Sequence, residues 1–409
     1  MRFHAFTGIR YASGDEAGGY VAPPYDQIDD ALRDRLHGDR HHFSHLIRPV
    51  TEHGDAHSAA AALHRRWMEQ DLLRREATPS LYPYEIRLID GERRLGICGL
   101  VGLEDPTSTT IRPHEATVEK TVNERLSLLR ATELDLEPIL LLAEDDGSLN
   151  QLLEADLEGR QPLVHHEDLH GNSHRLYRVE TPSRIATYQQ ALGTCDGLIA
   201  DGHHRYTVAQ RYAQELGVSE GSAAACKLAV ITSLSSPGLR IDPIHRLLRL
   251  PVSMEQAVSP VASMQRISGD SGDHITGLVA SAPQPSLAVA SRVDRIELWR
   301  FDPDRTPENL PPYLRHLAVG WLHGALLPEL GLSAAAATDG TVVYRSDPNR
   351  LYSEVAAGEA TLGFWLPGMS SDDFARAMSG GHLLPPKSTR FLPKLASGLV
   401  WASHDTQML

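Results

Sequence analysis

Cysteine is scarce in this sequence, with three in 409 residues. Cys98, Cys195 and Cys226 form neither a CxxC pair nor an even framework, which excludes a disulfide-stapled fold and suits a reducing compartment. Long apolar runs are missing too. No segment approaches the roughly 18 apolar residues that a membrane span needs, and the opening MRFHAFTGIRYASGDE has no apolar signal region. The expectation is a soluble cytoplasmic protein with no membrane partner. Positive charge is in the minority: 39 Lys and Arg stand against 53 Asp and Glu, a formal charge of -14. No basic block offsets this, so the surface repels a phosphate backbone and nucleic acid is not the expected partner. Three chemical signatures are also absent: the glycine loop of a Walker A site, the HExxH of a zinc protease and the GxSxG elbow of a serine hydrolase.

What is present is long enough for several packed layers. Residues 1–104 hold the proline bend GGYVAPPYDQI and a helical stretch with Ala59, Leu63, Trp67 and Leu72 on one stripe. A β-hairpin follows around Asp90-Gly91. Residues 105–235 hold a predicted helix with Val118, Val122, Leu126 and Leu129 on one face, then a strand after Pro138. An insertion at about 144–196 carries a helix, two short strands and another helix. Residues 236–409 alternate strands such as SLAVASRV and TVVYRS with helices such as PYLRHLAVGWLHGALLPEL, and the alanine-rich LSAAAATDG is too short for a linker. The fold class expected is mixed α+β.

The densest chemistry lies in GLIADGHHRYTVAQRY, residues 197–212. Leu198, Ile199 and Ala200 predict a short buried strand. Tyr206, Ala209, Tyr212, Ala213 and Leu216 predict a helix that stops at Gly217. His203, His204 and Arg205 thus place three potential cations on a helix start that is already positive, each costing about 0.3–1 kcal/mol. An anion bound there removes that cost: strand, Asp-Gly turn and helix start converge backbone amides, and Gly202 lets a ligand approach closely. The plainer alternative makes Asp201 an N-cap and the histidines neutral, bonded to nearby carbonyls.

Phosphoryl transfer to a hydroxyl also needs a base. His114 and Glu115, read as the opening of the preceding helix, supply the best candidate in Glu115, although a carboxylate there also serves as a cap. Asp201 is the candidate Mg²⁺ ligand, since Mg²⁺ takes one or two carboxylates plus phosphate oxygens. Near the end, LLPPKSTRFLPKLASGL sets Lys387, Ser388, Thr389 and Lys394 among prolines. It either contacts a ligand or forms a surface turn, and it either reaches the site or stabilises a homodimer. His245 and Arg246 in IDPIHRLLRL similarly face a site or close a turn. Zinc is the weaker metal reading. Neighbouring residues on a helix point about 100° apart, so His203 and His204 cannot both face one ion without a bend.

VAPPYDQI, HEATVEKTVNERLSLL, ADGHHRYTVAQRY, DPIHR and PPKSTRFLPKLASGLV occur in the order seen in the prokaryotic family called domain of unknown function 1015. The resemblance covers nearly the whole chain. Leu384 stands where that family usually has Met, and Arg390 and Leu392 where it has tyrosines. The middle region also looks like the nucleotide-binding core shared by partition protein ParB, sulfiredoxin and free-serine kinases. In the kinases an HE pair precedes the first helix and a DGHHR loop binds phosphates. The resemblance implies a ParB/sulfiredoxin-like core with additional α+β layers and Glu115 as base, with His114 orienting it or touching a phosphate. It further implies Gly202, His203, His204 and Arg205 as phosphate ligands, Asp201 near the metal, and ATP or ADP with Mg²⁺. His203 stands where sulfiredoxin has its cysteine, which argues against sulfinic-acid repair. The function expected is a nucleotide-dependent phosphotransferase for a small hydroxyl compound, with free serine as the leading acceptor. The alternatives are a nucleotide-binding regulatory module with a protein partner and a metal-dependent hydrolase.

Overall fold

A computed structural model describes residues 1–105, 107–218, 220–252, 254, 261–304, 306–308, 310–332 and 339–409. Residues 333–338, the body of the alanine-rich stretch, lie outside the described residues. The chain forms two compact units, Met1–Leu239 with Pro393–Leu409, and Arg240–Leu392. Among the described residues, no helix is long and apolar enough to cross a membrane.

The first unit is built on a nine-stranded mixed sheet. Its strands are β1 (Phe3–His4), β2 (Tyr82–Arg87), β3 (Arg93–Gly102), β4 (Ile111–Arg112), β5 (Ile139–Ala143), β6 (Val164–Glu167), β7 (Ser173–Leu176), β8 (Gly197–Asp201) and β9 (Cys226–Ser233). Their order is β4-β8-β5-β9-β3-β2-β7-β6, with β1 pairing β3. The β4/β8 and β5/β9 pairs are parallel and the others antiparallel. The sheet thus joins strands from both sides of residue 104. β5 and β9 are apolar or small at almost every position and buried throughout, the pattern of central strands covered on both faces.

Five helices matter here: α1 (Ala56–Glu69), α2 (Glu119–Thr132), α3 (Ser148–Leu157), α4 (Pro182–Gly193) and α5 (His203–Leu216). Leu149, Leu153, Ile185, Tyr188 and Leu192 of α3 and α4 bury against Ile97, Leu141, Ile199 and Ile231 of the sheet. Each fully buried side chain of this kind contributes about 1.5–3 kcal/mol. The helix, two strands and helix expected at 144–196 are all present, and the two strands extend the sheet beyond β2. α2 and α5 pack through Val122, Leu126, Val208 and Tyr212. The closing segment returns to the first unit because its backbone is hydrogen-bonded there: Trp401 bridges Ile9, Ser397 bridges Ala22, and Ala402 pairs with Asp135.

Two helical expectations need correction. α2 begins at Glu119 with Val118 as N-cap, so His114 and Glu115 lie in the connection before it. Val118, expected on the apolar face, is exposed. In α1 the buried face is Ala60, Ala61, His64 and Trp67, one residue on from the expected stripe apart from Trp67.

The second unit carries a six-stranded sheet of β10 (His245–Leu248), β11 (Ser263–Ile267), β12 (Ser286–Arg292), β13 (Arg295–Arg300), β14 (Val342–Arg345) and β15 (Leu362–Trp365). All the pairings in its order β11-β13-β12-β15-β10-β14 are antiparallel. Helices α6 (Gly272–Ser281) and α7 (Pro348–Ala356) cover it, with Ile275, Val279, Leu351 and Val355 against Leu247, Ala288 and Trp365. The helix expected over PYLRHLAVGWLHGALLPEL is interrupted: a π turn at Leu322–Leu326 precedes Pro328, which has no amide to continue the ladder.

Candidate functional site

β8 ends at Asp201 after a register shift between Ile199 and Asp201, and the chain turns into α5 through Gly202. Gly202 has φ +95°, where a side chain is strained, and a Cβ there would stand 2.6 Å from Ile139 Cγ2. The glycine is therefore required by the turn itself. α5 has no side-chain N-cap, so Asp201 does not serve as one. The first amides of a helix have no intrahelical acceptor, and their positive end points out of the turn.

Asp201 instead gathers cations. Its Oδ2 accepts from Arg205 Nη2 at 2.6 Å, and its Oδ1 accepts from Lys394 Nζ. Arg205 Nη1 donates to the Pro138 carbonyl at 2.6 Å. Burial raises the Asp201 pKa, but Lys394 and Arg205 outweigh it and hold the carboxyl well below its usual range. Two cations thus meet one carboxylate, and Glu137 and Asp26 also act on Arg205. Both carboxylate oxygens are engaged, so Asp201 does not present the open oxygen expected of a Mg²⁺ ligand. Among the described residues, no group of three His, Cys, Asp or Glu is arranged to hold a metal ion.

The histidines depart from the expected trio of cations. His203 is buried, and its Nε2 accepts the His114 amide at 3.2 Å. An accepting Nε2 requires the neutral ring with its proton on Nδ1. Desolvation, with His114 as the next cause, pushes the His203 pKa well below its ordinary value, which agrees with that assignment. His204 Nε2 accepts the Val118 amide at 2.9 Å. The two rings therefore bond to backbone amides four residues apart rather than to one ion. His114 is buried edge-to-face against His203, with ring centroids 4.4 Å apart, and its Nδ1 is 2.6 Å from the Ile199 carbonyl. Together these bonds pin the 113–118 connection, which carries the half-buried Glu115, beside the start of α5.

Lys387, Ser388 and Thr389 belong to the second unit. Lys387 is left-handed at φ +56°, and the carbonyls of Pro386 and Lys387 each accept from Arg246 Nη2 at 3.0 Å. The Ser388 hydroxyl donates to the Pro385 carbonyl at 2.6 Å. Arg246 is thus the residue that ties this turn. His245, also buried, accepts the Leu366 amide through Nδ1 at 3.1 Å. Lys394, which the sequence reading left either contacting a ligand or in a surface turn, is the residue of that segment that meets Asp201. Its nearest sequence signal is the second proline-lysine pair, LPK.

Residues 3–295 match the family described as "Protein of unknown function (DUF1015)". The chain belongs to that family. No curated protein matches it. Among solved structures, SbnI from Staphylococcus aureus with a C-terminal truncation is 13% identical with a TM-score of 0.38, over 73% of this chain and 84% of that one. A free serine kinase in complex with AMP is 13% identical with a TM-score of 0.34, over 71% and 89%. A conserved hypothetical protein from Pyrococcus furiosus is 12% identical with a TM-score of 0.35, over 72% and 93%. In this DUF1015 chain, the DGHHR segment and the HE pair both fall within the matched residues.

Proposed function

We propose that this protein is a nucleotide-dependent phosphotransferase acting on a small hydroxyl compound, with a free amino acid such as serine as the leading acceptor. The observation that carries the reading is Lys394 meeting Asp201, 193 residues away in sequence, where Arg205 and the start of α5 also converge. Positive groups held at a helix start in a tight glycine turn fit a phosphate chain. The resemblance of the HE and DGHHR segments to those of free-serine kinases supports the same reading.

In the proposed reaction, the acceptor hydroxyl oxygen bonds to the terminal phosphorus as the bond to the leaving phosphate oxygen breaks. The hydroxyl proton passes to Glu115. Lys394, Arg205 and the α5 amides stabilise negative charge on the transferring and leaving groups. His114, His203 and His204 act as positioning residues that hold the Glu115 connection against the helix. The nucleotide is ATP or ADP. The carboxylate of Asp201 does not fit a resident Mg²⁺, because Arg205 and Lys394 occupy its oxygens, and no step is assigned to a metal there.

A thermal-shift comparison of AMP, ADP, ATP and CTP tests the reading. A bound nucleotide at 100 times its Kd raises stability by about 2.7 kcal/mol, and the absence of any shift with all four would reject it. Turnover with ATP and L-serine, absent in Glu115→Gln, separates a transferase from a nucleotide-sensing module, which keeps its output without that base.

A further inference from the structure

Tyr84 of β2 and His174 of β7 are buried, and they join a backbone amide to an aspartate. The Ala396 amide donates to the Tyr84 hydroxyl oxygen at 3.1 Å. That oxygen lies 2.6 Å from His174 Nδ1, and His174 Nε2 lies 3.1 Å from Asp168 Oδ2. Asp168 also accepts the Asn172 side-chain amide on Oδ2 at 2.9 Å, and the His170 and Asn172 backbone amides on Oδ1 at 2.8 and 2.9 Å. Burial raises the Asp168 pKa, but the bonds from His174 and Asn172 outweigh it and hold the carboxyl well below its usual range. An ionised carboxylate only accepts, so His174 Nε2 carries the proton, Nδ1 is the acceptor, and the Tyr84 hydroxyl donates to it. Burial lowers the His174 pKa, with Arg94 and His165 acting in the same sense against Asp168, and burial keeps the Tyr84 phenol protonated. The hydrogens therefore run one way, from the Ala396 amide to Asp168.

Strand register assembles this chain. Leu176 pairs with Tyr84 and His174 with Ile86, so Tyr84 and His174 are diagonal neighbours on one face of β2 and β7. Asp168 stands in the turn between β6 and β7, where its amide donates to the Asn172 carbonyl at 3.0 Å and its carbonyl accepts from Gly171 at 3.1 Å. The other end of the chain lies just after Lys394. Among the described residues, the Ala396 amide is the first backbone group from Pro393 onward to be hydrogen-bonded, followed by Ser397, which bridges Ala22 and donates its hydroxyl to Glu137 Oε1 at 3.1 Å. Lys394 is thus held by its ammonium at Asp201 and by its backbone through Tyr84. A His174 ring protonated on both nitrogens would donate to the Tyr84 oxygen and leave the phenol hydrogen buried without an acceptor, which is costly.

We propose that Asp168, His174 and Tyr84 are positioning residues that fix Lys394 against Asp201, so that the turn between β6 and β7 sets the placement of a cation at the candidate phosphate site. The relay deepens the phosphotransferase reading and rests on it only for what Lys394 binds.

The test combines acetic anhydride labelling of lysines in the full chain, read residue by residue by mass spectrometry, with calorimetric titration of ADP. Tyr84→Phe keeps the ring and removes the oxygen that holds the Ala396 amide. It should raise the labelling rate of Lys394 about fivefold, leave that of Lys227 unchanged, and weaken ADP binding about fivefold. In a Lys394→Met background the same substitution should change ADP affinity less than about twofold, because its effect runs through that lysine, whereas a merely structural residue would cost as much in both backgrounds. Asp168→Asn, at the partly exposed end of the chain, should raise Lys394 labelling about twofold, and it decides the matter if Tyr84→Phe does not fold. Nitrogen NMR of the wild-type protein should show the His174 proton on Nε2. The relay is overturned if Lys394 labels at the wild-type rate in either folded variant, if Tyr84→Phe costs as much ADP affinity without Lys394 as with it, or if the His174 proton is on Nδ1. Faster Lys394 labelling in a protein that binds no ADP would leave the relay standing and remove the phosphotransferase reading.

Discussion

Two aspartates in the first unit each hold a lysine, in different settings. Asp135 takes Lys227 Nζ on Oδ1 and the Leu228 amide on Oδ2 at 2.6 Å, while Lys227 also donates to the Glu137 carbonyl at 2.9 Å. Lys227 and Asp135 are buried, and their bonds tie one strand to the segment before β5. Asp201 takes Lys394 and Arg205 at the end of a strand, where a glycine turn opens into a helix and the side chains keep some exposure. A buried aspartate-lysine contact is therefore not by itself a sign of function. The helix start and the second cation bonded to the carboxylate distinguish the second from the first.

The largest expected effect breaks the structural pair. Lys227→Met leaves Asp135 charged and unpaired, and should lower unfolding free energy by about 3–5 kcal/mol in urea titrations, with nucleotide affinity per folded molecule unchanged. Next comes the base. Glu115→Gln should lower turnover by about 10²-fold or more in a coupled kinase assay while leaving the nucleotide-induced thermal shift intact. Gly202→Ala acts on the turn that separates the two clusters in kind. Its strained φ and the close Ile139 contact should lower stability by about 1–3 kcal/mol and weaken nucleotide binding. Lys394→Met sharpens the contrast with Lys227→Met. Asp201 keeps Arg205, so the main loss should be about tenfold in nucleotide affinity measured by calorimetry, with a smaller stability change.

The gentlest perturbation is pH. His203 is held neutral well below its ordinary value of 6.5, mainly by desolvation, and His42 and His64 are pushed down to about 4 by the same cause. In the unfolded chain these rings take up protons as pH falls below 6.5, whereas in the folded protein they do not. Stability should therefore decline as pH drops from 6.5 towards 4, before carboxylate protonation at Asp201 adds to the loss. A melting temperature flat across that interval would contradict the neutral assignment of the histidines.

The elements most legible in the sequence were those whose signals are local. The strand-glycine-helix at 197–217, the Asp90-Gly91 hairpin and the helix-strand-strand-helix of 144–196 follow from periodicity and turn residues. The start of α2 was less legible. His114 and Glu115 continue a plausible helical pattern, but the backbone amides of His114 and Val118 are bonded to the rings of His203 and His204, which draws that segment out of the helix. Protonation was hidden as well. A histidine's charge depends on what buries it, and the sequence reading left His203 either a cation or neutral because its desolvation is not visible there.

Composition, spacing and turn chemistry alone determined the mixed α+β class, the acidic surface, the glycine turn before α5 and the family resemblance. Only the tertiary structure decided that the chain's last 17 residues, 393–409, belong with its first 239, and that Lys394 rather than the histidines joins Arg205 at Asp201. The reason is physical. Backbone preferences are set by neighbours a few residues apart, whereas charge, burial and hydrogen-bond satisfaction are set by groups that strand pairing brings together from more than a hundred residues away.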